Sequence, residues 1–316
     1  KLLDAPWLRG RRILLLEPRR IAARMAAERM AASLGEKAGG VIGLSTRVDR
    51  RVSSATRLEV VTDGLFTRRI LEDPELAGIG AVLFDEFHER SLNADLGLAL
   101  ALDAQGALRE DLRLVVMSAT LDISRVAAAI DAPAIESEGR QHPVETIYLG
   151  RSAERVEDRA AAAVRRALRE QAGSVLVFLP GRGEILRTAE RLDDLPSEII
   201  VAPLYGALSP AEQDRAVAAP SAGKRKVVLA TDIAESALTI EGVTTVVDAG
   251  LARVAEFDPA SGASELVTRR ASLASVDQRR GRAGRLGPGV CYRLWDEPAT
   301  RGFVAHPDPE ILTGDL

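Results

Sequence analysis

Short apolar runs recur along this chain, and each one stops at polar, charged or glycine-rich residues. In the first half they lie at 13–16, 58–61, 81–84 and 112–117; in the second, at 174–179, 199–202, 226–230 and 244–248. Runs this short, rich in Val, Ile and Leu, predict buried parallel strands. Between them lie segments of helical pattern, at 21–34 (closed by Gly35), 65–71, 95–104 and from Asp122 onward. The second half follows suit with a charged, alanine-rich helix over 153–171 and another after the loop Pro180-Gly-Arg-Gly183. Alternating strands and helices in two separate series predict two α/β domains with mainly parallel sheets. Residues 137–145 are polar and contain Gly139 and Pro143, so the boundary is placed there, giving domains 1–138 and 139–316. Residues 253–268 predict a β-hairpin that turns at Asp258-Pro-Ala-Ser-Gly262.

The most informative strand end is Ala81-Val-Leu-Phe-Asp-Glu-Phe-His-Glu-Arg90. Four apolar residues run directly into Asp85 and Glu86, with His88 two positions later. In open α/β sheets, ligands bind outside the carboxyl ends of strands. Paired carboxylates there suit an oxygen ligand for Mg²⁺ and a base that orients water, as nucleoside triphosphate hydrolysis requires. A solvated acidic loop is the alternative.

Other candidates are each ambiguous by themselves. Arg19 and Arg20 follow the 13–16 strand at a helix start, where cations oppose the helix dipole unless a phosphate is present; solvated surface arginines are the other reading. Thr62-Asp-Gly64 is read as a phosphate contact or a helix cap, and Ser118-Ala-Thr120 as a small-hydroxyl cap. His142 is read as a turn residue, having no partner at metal-ligand spacing. In Gln278-Arg-Arg-Gly-Arg-Ala-Gly-Arg285, helical spacing puts Gln278, Arg282 and Arg285 on one face. Gly281 and Gly284 reduce bulk beside that face, which suits a polyanion such as a transferring phosphoryl group; a solvated basic face or a generic RNA-binding patch is the other reading.

Composition narrows the options. At 316 residues the chain has room for two domains. Aromatics are 3%, so stacking platforms for bases are not an obvious binding mode, and a net charge of −4 provides no general attraction to nucleic acid. Binding to a polyanion must then rest on local arginines and backbone donors. The single cysteine, Cys291, excludes a disulfide within the chain and a multi-cysteine metal site. No apolar run is long enough to cross a membrane and no signal peptide opens the chain, so a cytoplasmic protein without membrane contact is expected.

In order along the chain, Glu17-Pro-Arg-Arg-Ile-Ala-Ala23, Thr62-Asp-Gly64, Asp85-Glu-Phe-His88, Ser118-Ala-Thr120, Phe178-Leu-Pro-Gly181, Leu204-Tyr-Gly-Ala-Leu-Ser209, the segment 230–240 and Gln278 to Arg285 form a recognisable series. The chain resembles the DEAH-box helicases of superfamily 2, most closely the bacterial HrpB-type subgroup. The resemblance implies two tandem RecA-like domains that hydrolyse ATP between them and translocate on single-stranded RNA or remodel RNA–protein complexes. It implies that Asp85 holds Mg²⁺ through water, that Glu86 is the general base, and that His88 couples the nucleotide to the facing domain. Ser118 and Thr120 would link nucleotide and domain movement. Gln278, Arg282 and Arg285 would reach the phosphates, the last two as arginine fingers. Arg19, Arg20, Thr62, Gly181 and Thr231 would touch the RNA backbone, and the hairpin over 253–268 would lie beside the RNA path.

Three departures stand out. Phe87 replaces the alanine of the name motif, as the HrpB-type subgroup has it. Asp232 and Ala237 vary a motif that often reads Asn and Ser. The phosphate loop Gly-x-x-x-x-Gly-Lys-Ser/Thr implied ahead of Ile13 is missing from residues 1–12, so the chain is expected to be part of a longer one that supplies it. Residues 309–316 resemble the entry to the family's winged-helix region. A nucleotide-gated RNA-binding or assembly factor, and a DNA helicase, are the alternatives. Protein partners are not legible.

Overall fold

The computed structural model describes residues 1–119, 123–137, 139, 142–235, 238–258 and 263–312. Thr120, Ala237 and residues 259–262 of the expected hairpin turn lie outside them. Two compact units divide the chain: Lys1–Glu136 with Asp308–Leu316, and Ser137–Pro307. Residues 309–312, which belong to the segment expected to open a winged-helix region at the end of the second domain, group with the first unit. The Glu310 amide there donates to the Arg90 carbonyl at 3.1 Å.

The first unit contains β1 (Arg12–Glu17), α1 (Arg20–Ser33), β2 (Ile42–Ser45), β3 (Arg50–Arg51), β4 (Leu58–Thr62), α2 (Asp63–Glu72), β5 (Ile79–Phe84), α3 (Leu92–Ala107), β6 (Arg113–Val116) and α4 (Ile123–Ala129). Its sheet runs β3-β2-β4-β1-β5-β6. Every pairing is parallel except β2 with β3 at the edge. β1 shows why an unbroken apolar run is needed at the centre. Leu14 and Leu16 face a core with Val82, Phe84, Phe66 and Leu98, while Ile13 and Leu15 face another with Ala23, Ala27, Val60 and Leu83. Helices cover both faces, so both faces must be apolar.

The second unit contains β7 (Val144–Tyr148), α5 (Val156–Glu170), β8 (Ser174–Phe178), α6 (Arg182–Glu190), β9 (Ile199–Leu204), α7 (Pro210–Val217), β10 (Arg225–Ala230), β11 (Val243–Asp248), β12 (Leu251–Asp258), β13 (Ala263–Arg270), α8 (Leu273–Gly281) and β14 (Gly289–Arg293). Its six-stranded sheet is parallel throughout, in the order β7-β14-β11-β8-β10-β9. β12 and β13 pair only with each other, antiparallel, as the hairpin expected there. α5 lays Ala160, Ala163, Val164 and Ala167 against Val175, Val177, Leu229 and Val247. Buried Lys226 donates to the carbonyls of Arg215 (2.7 Å), Ala216 (3.3 Å) and Ala218, closing the last turn of α7.

Candidate active site

In the first unit, pairing register brings the motif-bearing strand ends together. Glu17 lies opposite Thr62, and Leu16 opposite Phe84. The Asp85 amide continues the ladder to the Leu16 carbonyl at 3.1 Å, and the Met117 amide donates to the Phe84 carbonyl at 2.8 Å. The segments after β1, β4, β5 and β6 therefore share one sheet edge. The sequence singled out this same set.

Asp85 is half-buried, and its Oδ1 accepts from the Glu86 amide at 2.8 Å. Burial pushes its carboxyl above the usual range; the Glu86 charge adds to the effect, and the amide bond and His88 oppose it. Glu86 has φ +49° and Arg90 φ +50°, the two bracketing a 3₁₀ turn over Phe87–Glu89. A non-glycine residue in this left-handed region costs about 1–2 kcal/mol. Phe87 holds the turn in place. It is 4% exposed, its amide donates to the Met117 carbonyl at 3.1 Å, and its ring meets Phe84 edge-on at 6.3 Å. Arg90 lies over the Phe87 ring at 5.7 Å and pairs with Asp95 at 2.9 Å.

His88 Nδ1 is 3.4 Å from the Glu86 carboxylate and 3.4 Å from the Ala119 amide. It thus joins the Asp85–Glu86 stretch to the Ser118–Ala119 stretch within one unit. Ser118 is half-buried.

Glu17 opens the motif Glu17–Ala23 without an assigned role, yet it is the most perturbed acid of this edge. It is 3% exposed, its Oε2 accepts no hydrogen bond, and its pKa is pushed up to about 8. Burial is the main cause, followed by the charges of Asp85, Glu86, Asp63 and Glu89. Asp63, 4% exposed, is raised to about 6 by burial, despite accepting from Ser91 Oγ at 2.9 Å.

The proposed backbone-binding residues differ among themselves. Arg20 is exposed in the first turn of α1. Arg19, at the N-cap, pairs through Nε with Glu89 at 3.1 Å. Thr62 occupies the N-cap of α2 without a side-chain capping bond.

The second unit has a corresponding edge. Ala230 lies opposite Phe178 and Leu204, and Asp248 opposite Phe178 and Arg293. Gly181 and Thr231 follow two of these strand ends. Gly181 is buried at the N-cap of α6, where a Cβ would come 2.9 Å from Glu184 Oε2. Half-buried Thr231 accepts from the Ile233 amide at 3.4 Å.

The expected common helical face of Gln278, Arg282 and Arg285 is interrupted. α8 ends at Gly281, and Arg282–Gly284 tightens into a 3₁₀ turn as the Arg282 amide reaches the Arg279 and Arg280 carbonyls. Gln278 is half-buried on the helix. Arg282 is 5% exposed and donates to the Glu235 and Leu238 carbonyls. Arg285 is exposed and reaches the Leu238 carbonyl at 3.3 Å and Thr239 Oγ1 at 3.2 Å. Gly284 leaves room for protein rather than for an anion: a Cβ there would lie 2.6 Å from the His142 carbonyl oxygen.

Arg279, which the motif reading passed over, is the buried hub of this edge. It is 1% exposed, bonds Glu235 at 2.6 Å and Asp248 at 2.9 Å, and lies 5.1 Å over the Phe178 ring.

No three His, Cys, Asp or Glu side chains converge as a metal cage among the described residues. Mg²⁺ does not need one, since it keeps waters and takes one or two carboxylates plus substrate phosphates. The carboxylates of Asp85 and Glu86, with Glu17 near them, fit a hard cation of that kind. No helix among the described residues is long and apolar enough to cross a membrane.

A family model for the helicase conserved C-terminal domain matches residues 159–287. The sequence is 51% identical over 319 residues to the ATP-dependent RNA helicase HrpB of Escherichia coli, covering 100% of this chain and 39% of that protein. It is 39% identical over 311 residues to the pre-mRNA-splicing factor ATP-dependent RNA helicase prp22 of Schizosaccharomyces pombe, covering 95% of this chain and 26% of that one. The crystal structure of the E. coli DEAH/RHA helicase HrpB matches with a TM-score of 0.94 at 51% identity, over 100% of this chain and 40% of that one. The chain belongs to the DEAH/RHA helicase family. It spans less than half the length of these DEAH/RHA relatives. Its two parallel-sheet units are the RecA-like fold of the matched helicase.

Proposed function

We propose that this chain is the motor portion of an ATP-dependent RNA helicase or RNA–protein remodelling enzyme that moves on single-stranded RNA. The observation that carries the reading is the shared edge of β1, β4, β5 and β6, where a strained Glu86 stands beside a desolvated Asp85 and a bridging His88. Asp85 would hold Mg²⁺ through water, with Glu86 near the same ion. Bound Mg²⁺ supplies positive charge that offsets the phosphates. Glu86 orients the attacking water and takes its proton, from a backbone conformation fixed by Phe87. His88 transmits the state of Glu86 to Ser118 and Thr120. Gln278, Arg282 and Arg285 donate to the phosphates, Arg282 by exchanging its carbonyl partners for phosphate oxygens.

Arg19, Arg20, Thr62, Gly181 and Thr231 contact the sugar–phosphate backbone, so binding is insensitive to base sequence. RNA in preference to DNA is supported by the names of the relatives.

The deciding experiment is steady-state ATP hydrolysis by the full-length protein, with and without single-stranded RNA, beside Glu86→Gln. RNA should raise the wild-type rate, and the variant should lose about 10²–10⁴-fold in turnover while still binding nucleotide. A variant with unchanged turnover removes Glu86 from the mechanism. Strand displacement on a tailed duplex separates a helicase from a nucleotide-gated binding factor.

A further inference from the structure

Arg19 and Arg20 are adjacent, yet their surroundings differ. Arg20 is exposed, while the Arg19 Nε faces Glu89 Oε2 at 3.1 Å in a pair whose side chains are 26% and 18% exposed. Glu89 closes the 3₁₀ turn that starts after left-handed Glu86 and ends at left-handed Arg90. Its amide donates to the Glu86 carbonyl at 2.9 Å, so Glu86 and Glu89 belong to one short rigid turn. A second set of bonds ties the same stretch to α2, which follows β4 directly. Ser91 Oγ donates to Asp63 at 2.9 Å, and Thr67 Oγ1 to the Asn93 carbonyl at 3.1 Å. Both first-unit segments assigned to the RNA backbone are therefore joined by side chains to the residues that follow Glu86.

An arginine at a helix N-cap opposes the helix dipole, and the Glu89 carboxylate offsets that cost. A phosphodiester offers the guanidinium the same kind of anionic oxygen acceptor. A phosphate thus competes with Glu89 for the charge of one guanidinium.

We infer that Glu89 is a positioning residue that couples RNA occupancy to the turn carrying Glu86. Glu89 holds Arg19 when no RNA is bound, and a backbone phosphate that takes Arg19 releases the turn. This rests on the roles proposed above for Arg19 and Glu86.

The test uses the full-length protein, a labelled single-stranded oligouridylate for binding, and ATP turnover with and without that RNA. Glu89→Gln keeps the shape and removes the charge. It should bind the RNA roughly two- to fivefold more tightly, the range of a partly exposed ion pair. The ratio of RNA-stimulated to basal turnover should fall. The double variant Arg19→Gln/Glu89→Gln should bind RNA as Arg19→Gln alone does, because the effect passes through Arg19. A merely structural role for Glu89 would not tighten RNA binding. Unchanged affinity and ratio in Glu89→Gln, or additive effects in the double variant, overturn the coupling. A wild-type protein that RNA does not stimulate overturns the proposed function as well; a stimulated wild type with an indifferent Glu89→Gln overturns the coupling alone.

Discussion

The Arg279 guanidinium meets the Asp248 carboxylate at 2.9 Å with 1% and 0% of the two side chains exposed. It joins the end of β11 to α8, and its bond to Glu235 adds the segment after β10. Burying one cation between two carboxylates is tolerable only while all three groups are present. Asp248 Oδ2 already lacks a hydrogen-bond partner. Arg279→Leu should therefore cost the second unit about 3–5 kcal/mol, measured by urea unfolding. A loss under 1 kcal/mol would mean that Asp248 and Glu235 do not depend on Arg279.

Glu17 makes stability depend on pH. Its carboxyl has an ordinary value of 4.5 and a folded value of about 8. Between these values the folded state keeps a proton that the unfolded chain has released, so stability is full below 4.5 and falls as pH rises through 8. By pH 7 the loss is about 3 kcal/mol. Asp63, raised from 3.8 to about 6, adds a fall of the same sign at lower pH. Glu17→Gln should melt above wild type near pH 8, with the gap closing toward pH 5. Parallel melting curves across that range would show that Glu17 is ionised in the folded protein.

Phe87 stands where the resembled family carries alanine in its name motif. Its ring packs against Phe84 and under Arg90. Phe87→Ala should cost about 3–5 kcal/mol. It should also loosen the left-handed turn at Glu86, visible as faster amide exchange of the Glu89 and Arg90 amides. Unaltered exchange would assign the turn's order to the His88 and Asp95 contacts instead.

Gly284→Ala would press a methyl group against the His142 carbonyl oxygen, 2.6 Å from the ideal Cβ, and against Val144 Cγ2 at 2.8 Å. The His142 amide bonds the Gly284 carbonyl at 3.0 Å, so the clash disturbs the approach to β7. A cost of about 1–3 kcal/mol is expected in thermal unfolding. A neutral substitution would show that this backbone contact yields freely.

The strand ends that form the candidate site were legible because an apolar run stopping at an acid is a local signal. Residues 13–16 followed by Glu17 have the same form as 81–84 followed by Asp85. Glu17 nevertheless drew no role of its own, because Pro18 after it marks a turn and its burial depends on the distant pairing of β1 with β4. Arg279 was illegible for a similar reason, since its partner Asp248 lies 31 residues away. The helical period over 278–285 was real as far as Gly281, where the chain tightened. α7 went unread although Ser209 and Glu212 form a capping box with Pro210 in the first turn. β3 and β7 are edge strands, which need no long apolar run.

Glu310 gives the molecule a timetable. Its carboxylate accepts from the Leu92 amide at 2.9 Å, at the start of α3 and 218 residues earlier in the chain. During synthesis, Leu92 emerges long before the side chain that caps it. At about 5–20 residues per second, the delay is roughly ten to forty seconds. Throughout that interval the stretch from Glu86 to Leu92 lacks its last fastening. The acidic turn of a nascent chain is thus completed only after the whole second unit has been made.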